Sequence, residues 1–134
     1  MKSDILKSIK HNEAYRSHAY RDSEGVLTIG YGLNLDDGIS EPLAAKILEW
    51  VVDERTADLK RALPFWGNLS ENRQEVFIEM AYNLGMPRFM GFHKMFAAAD
   101  KGDIETVCKE MENSRWFKQV KSRAARLIEK YREG

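Results

Sequence analysis

The stretch Tyr20-Arg21-Asp22-Ser23-Glu24-Gly25-Val26-Leu27-Thr28-Ile29-Gly30-Tyr31-Gly32 decides how this chain reads. Its first six residues carry turn chemistry, since Asp and Ser side chains bond their own backbone and Gly adopts conformations that other residues avoid. The next seven are β-prone, and together the two halves predict a small hairpin. The glycines at 30 and 32 either end the returning strand or bring its backbone close to something. Ahead of the hairpin, Ile5, Leu6 and Ile9 recur at helical spacing and predict a short amphipathic helix from Ser3 to about Asn12.

Beyond the hairpin the period turns helical. Ser40 is a good N-cap, Pro42 suits a first turn, and Leu43, Ile47, Leu48, Val51, Val52, Leu59 and Leu63 trace one face up to Pro64. A second helix is capped by Ser70, turns Val76, Phe77, Met80, Ala81 and Leu84 inward, and stops at Gly85. Shorter helices are expected over about 92–100, over 104–112 behind Asp103, and from about Ser122 with Ala124, Leu127, Ile128 and Tyr131 as its buried stripe. The sum is an α+β fold, mostly helical: a hairpin lobe at about 13–39, a connecting helix at about 40–63 and a helical lobe at about 64–134.

The 134 residues suit one domain, and 43% of them are apolar, enough for a core. No apolar run nears the roughly 20 residues that span a bilayer, which argues against stable membrane insertion. The opening Met1-Lys2-Ser3-Asp4-Ile5-Leu6-Lys7 lacks the apolar centre of a secretory signal, so the expectation is a chain made and kept in a cytoplasm. A single cysteine, Cys108, excludes an internal disulfide, fits a reducing compartment and reads as a small buried hydrophobe beside Ile104, Val107 and Met111. His11, His18 and His93 lie at no metal-ligand spacing, so no metal site is expected. Formal charges balance at 21 of each sign, yet Arg115, Lys118, Lys121, Arg123, Arg126, Lys130 and Arg132 face only Glu129, a local net of +6. That run is either a solvated helix face or an attraction for an anionic polymer, whether nucleic acid or a cell wall with peptide carboxylates.

Glu13 falls where the first helix should end. The macrodipole puts partial negative charge there, a poor place for a carboxylate and a suitable one for a group that must hold its proton as a general acid. Asp22, nine residues on, occupies the hydrated hairpin turn, a setting suited to a base. Two carboxyl groups in unlike environments are the minimum equipment for hydrolysing a glycosidic bond. Thr28, on the returning strand, can present its hydroxyl beside Asp22, and the two together can hold a nucleophilic water. Each residue also has a plainer reading: Glu13 as a helix-end glutamate, Asp22 as a turn former, Thr28 as a β-former on a polar face.

The segments Glu13-Ala14-Tyr15-Arg16, Ala19-Tyr20-Arg21-Asp22-Ser23-Glu24-Gly25 and Leu27-Thr28-Ile29-Gly30-Tyr31-Gly32 resemble the active-site signature of phage-type lysozymes (endolysins, muramidases), glycoside hydrolase family 24. Asn83-Leu84-Gly85, Gly91-Phe92, Ser114-Arg115-Trp116-Phe117 and Arg123-Ala124 follow in the family's order, so the resemblance extends nearly to the C-terminus. It implies a lysozyme-like fold and cofactor-free, inverting hydrolysis of the β-1,4 bond between N-acetylmuramic acid and N-acetylglucosamine, in phage-induced host lysis. By position, Glu13 resembles the family's general acid, and Asp22 and Thr28 the pair that orients the attacking water. Arg123 falls where the family has an arginine near the catalytic glutamate. Tyr82 and Asn83 match an aromatic and an amide lining the cleft, Phe92 an aromatic at its rim, and Asn34 is a further cleft candidate. For Tyr82 and Phe92, core packing is the plain alternative.

The chain departs from the family in three ways. Leu33-Asn34 stands where many members carry a histidine, and the chain as a whole is neutral where many are basic. Only Leu33–Ile39 separate the hairpin from the long helix, so the N-terminal lobe is expected to be trimmed, without a third strand and a helix. The resemblance further implies a monomer acting on peptidoglycan glycan strands, made in the host cytoplasm and reaching the wall in the periplasm after a separate protein permeabilises the membrane. Its rivals are a lysozyme-like module that binds glycan without cleaving it, a nucleic-acid-binding protein using the Arg115–Arg132 run, and a hydrolase of chitin-like glycans.

Overall fold

Asp22 makes the turn on which the small sheet is built. Its Oδ1 accepts from the backbone N–H groups of Glu24 and Val26, both at 2.9 Å. The Gly25 N–H donates to the Asp22 carbonyl at 2.9 Å, and Gly25 takes a φ of 80° that a side chain would resist. In this computed structural model, which describes residues 1–134, the turn joins β1 (Arg16–Arg21) to β2 (Leu27–Gly30). The strands run antiparallel with Tyr20 opposite Thr28 and Arg16 opposite Gly30, an irregular register that marks a bulge in β1.

The sheet is larger than the expected hairpin. A third strand, β3 (Leu33–Asn34), pairs antiparallel with β2 and completes the order β1-β2-β3. The expectation that a trimmed lobe would lack this strand is therefore corrected. Gly30 and Gly32, at φ 68° and 76°, reverse the chain within a few residues. The loop after β3 then braces itself: Asn34 donates through Nδ2 to Asp37 at 3.0 Å and accepts from the Asp36 N–H at 2.9 Å, while Asp36 Oδ2 accepts from the Leu27 N–H at 3.1 Å.

The chain divides into two compact units, residues 1–46 and 47–134. The first holds the sheet and α1 (Lys2–Asn12), which is amphipathic as expected but buries none of its residues. α2 (Glu41–Ala62) starts at Ser40, whose Oγ accepts from the Leu43 N–H at 3.3 Å, and continues into the second unit. Of its expected apolar face, only Leu59 and the following Leu63 are buried, whereas Leu43, Ile47 and Leu48 are exposed. A helix of this length extends roughly 33 Å, and the core of the second unit covers only its C-terminal part.

That core gathers on α3 (Glu71–Leu84), α5 (His93–Lys101), α6 (Ile104–Glu112) and α8 (Lys121–Glu133), with the short α4 (Met86–Phe89) and α7 (Arg115–Gln119) between them. Ser70, Asp103 and Ser114 cap α3, α6 and α7 through their side chains. Phe77 lies at the centre, with Phe89 at 5.7 Å, Phe96 at 6.0 Å and Tyr131 stacked at 5.4 Å between ring centroids. The inward faces expected for α3 and α8 are buried, apart from the half-buried Leu84. Cys108 is fully buried, and desolvation pushes its thiol up from the ordinary range. No helix is long and apolar enough to cross a membrane.

Tertiary structure also revises the basic run. Arg123 pairs with Glu79 and Lys130 with Glu75, both at 2.9 Å, and Arg132 lies within 3.1–3.4 Å of Glu129, Glu105 and Glu112. Three of the seven basic residues of the run are thus paired with glutamates of α3, α6 and α8 itself.

Candidate active site

Glu13 is the C-cap of α1. Its N–H still donates to the Ile9 carbonyl at 2.8 Å, but φ −108° and ψ 120° turn the chain extended and end the helix. The side chain folds onto the turn after β2. A methyl group on Gly32 would lie 2.6 Å from Glu13 Cδ and Oε2 and 3.0 Å from Oε1, so the carboxyl occupies the space that a side chain at 32 would need. This is the close approach that the glycine pair suggested. The carboxyl is exposed and makes no hydrogen bond or ion pair with the rest of the chain, which leaves both oxygens available to a ligand.

Asp22 and Thr28 lie on one face of the β1–β2 pair. Tyr20 stands opposite Thr28, and the Asp22 N–H donates to the Val26 carbonyl at 3.0 Å, so Asp22 is the diagonal neighbour of Thr28. The turn-forming reading of Asp22 holds for Oδ1, which is engaged by two backbone N–H groups, while Oδ2 carries no bond within the chain. Thr28 is only 4% exposed, and its hydroxyl donates to the Val26 carbonyl at 2.9 Å. With its one proton so engaged, Oγ1 can only accept from a further partner.

The other sequence candidates fall in distinct places. Asn34 uses both ends of its amide within the loop after β3. Tyr82 is exposed rather than core, and it lines a groove of about 620 Å³ with Leu48, Val52, Ile78 and the Arg123–Glu79 and Lys130–Glu75 pairs. Arg123 thus belongs to that groove. Asn83 accepts from the Trp116 indole N–H at 2.8 Å and so fixes that ring. Phe92 packs on Phe89 at 6.2 Å between centroids and also lines a second groove, about 440 Å³, with Trp116, Arg115, Arg88 and Lys94. Core packing and groove lining therefore both describe Phe92. Sequence reasoning did not single out Gly32 as the seat of Glu13, or Trp116 and Arg115 as groove residues; their only signal was membership in the quoted motifs.

Comparison with known proteins supplies the context for this arrangement. The chain is 24% identical to the probable T4-type lysozyme 1 of Dictyostelium discoideum, the match covering 96% of the chain and 93% of that protein. It is 26% identical to the pre-baseplate central spike protein Gp5 of Enterobacteria phage T4, over 92% of the chain but 26% of that protein. It is also 26% identical to the peptidoglycan hydrolase gp36 of Pseudomonas phage phiKMV, over 97% of the chain and 16% of that protein. The chain thus spans about a quarter or less of the two phage relatives and nearly all of the Dictyostelium one. The sequence profile described as phage lysozyme matches residues 10–133, and this chain belongs to the phage lysozyme family.

Proposed function

We propose that the protein hydrolyses the β-1,4 bond between N-acetylmuramic acid and N-acetylglucosamine in peptidoglycan, with inversion and without a cofactor. One observation carries the reading: the Glu13 carboxyl is exposed, held by contact with Gly32 and engaged by no partner in the chain. A general acid must reach the leaving oxygen, and a carboxyl tied into an ion pair would be poorly placed to do so. As the bond between the anomeric carbon and the glycosidic oxygen breaks, Glu13 delivers its proton to that oxygen. On the opposite side a water donates one hydrogen bond to Asp22 Oδ2 and one to Thr28 Oγ1, both of which can only accept in this arrangement. Its lone pair is then directed at the anomeric carbon, and Asp22 takes the proton it releases. A single displacement of this kind inverts the configuration and needs carboxyl groups roughly 6.5–9.5 Å apart.

Within the second unit, Phe92 with Trp116 held by Asn83 offers one groove, and Tyr82 another, an aromatic wall suited to a sugar ring, while Arg123 pairs with Glu79 and, in the first unit, Asn34 organises the loop after β3. The setting that fits this reading is phage-induced lysis by a monomer made in the host cytoplasm, which reaches the wall after another protein permeabilises the membrane. The test is clearing of a cell-wall suspension by the wild type beside Glu13→Gln. The expected outcome is clearing by the wild type and a loss of at least about a hundredfold in the variant. A folded Glu13→Gln protein that clears walls at the wild-type rate would remove Glu13 from its role.

A further inference from the structure

Two exposed tyrosines lie in the segments that bring Glu13 onto Gly32, and no step of the hydrolysis uses them. Tyr15 is 64% exposed and Tyr31 43%, and their ring centroids lie 5.6 Å apart at an interplanar angle of 48°. Glu13 touches Gly32 while Tyr15 touches Tyr31, so two residues of the segment after α1 meet two adjacent residues of the turn after β2. The tyrosine pair and the Glu13–Gly32 contact therefore join the same two segments, within two residues of each other on each. The Lys10 ammonium, from the last turn of α1, lies 5.4 Å from the Tyr31 centroid. The arrangement is a bent aromatic surface beside an acid, with a cation at one edge.

Aromatic side chains left in water forgo the large area they bury elsewhere, and a paired exposed set beside a reactive group marks a ligand contact. We propose that Tyr15 and Tyr31 form a stacking platform for a pyranose ring of the glycan strand, next to the bond that Glu13 protonates. A pyranose offers an apolar C–H face to an aromatic ring and polar groups at its rim. The Lys10 ammonium beside the Tyr31 ring can donate to hydroxyl and acetamido oxygens at that rim. The proposal rests on the reading of Glu13 as the acid of a glycan hydrolase.

The experiment uses soluble, uncross-linked peptidoglycan glycan strands. Calorimetric titration into Glu13→Gln protein, which keeps the strand intact, is compared with the same protein carrying Tyr15→Ala or Tyr31→Ala. Each alanine variant should bind about tenfold more weakly, and Tyr15→Phe should bind like the parent because stacking needs only the ring. With Glu13 restored, the alanine variants should raise KM while kcat and the melting temperature stay unchanged. Binding and KM equal to the parent in both alanine variants would remove the platform. A fall in kcat at constant KM would instead make the tyrosines supports for Glu13 and also overturn the proposal. Tyrosine-dependent binding by a protein that does not cleave walls would sustain the platform while refuting the hydrolase reading.

Discussion

Gly32 sits at φ 76° with the Glu13 carboxyl where a side chain would begin. Two constraints coincide there, one on the backbone and one on space. An alanine at 32 would strain the left-handed backbone by roughly 1–2 kcal/mol and push the carboxyl off its seat. Gly32→Ala is therefore expected to lower the melting temperature by several degrees and the wall-clearing rate by about a hundredfold, since displacement of a catalytic group by about an ångström costs that much. Thermal melts and clearing rates on the same preparations check both effects, and a retained rate would show that the seat does not position the acid. At this scale the sequence could offer Glu13, Asp22 and Thr28 as candidates because type, spacing and the adjoining turn signals all lie within twenty residues. Gly32's partner was not, because nothing in a glycine says which side chain lies against it.

Helices and strands were legible wherever period and punctuation agreed. Ser70 and Asp103 cap the helices they were expected to cap, and Gly85 and Gly102 end the helices before them. The short α4 and α7 were missed because four or five residues hold too little period to register. Between elements, Tyr131 of α8 stacks on Phe77 of α3, and burial raises its phenol to about 12, against a smaller opposing effect of Arg73. The unfolded phenol ionises near pH 10, before the folded one. The contribution to stability is complete below pH 10 and is lost as pH rises toward 12, an amount of about 2–3 kcal/mol. Denaturant titrations at pH 9 and pH 11.5 are expected to show Tyr131→Phe losing less stability than the wild type over that interval. Equal losses would place the alkaline sensitivity elsewhere.

Over the whole molecule, burial is uneven. α1 buries no residue, while α3, α6 and α8 of the second unit each bury three or four. Local opening follows the density of buried contacts, so amide hydrogen exchange should be fast throughout α1 and slowest in α3, α6 and α8. Protection of α1 equal to that of α3 would contradict this ordering. The formal charge balance was plain from composition, but which cations of the basic run meet a carboxylate was not: the pairs Arg123–Glu79 and Lys130–Glu75 join residues 44 and 55 positions apart.

The sequence by itself determined the class of the fold, the places where helices begin and end, the turn at Asp22 and the ordered motifs of the family. Each of these depends on neighbours a few residues apart, whose backbone preferences and apolar period act locally. Only the tertiary structure decided that a third strand follows Gly30 and Gly32, that Glu13 rests on Gly32, that Asn83 holds the Trp116 indole across 33 positions, and that Tyr15 meets Tyr31. Those contacts form between segments that chain order keeps apart, and which side chains meet is set by register and packing, which local preference does not encode.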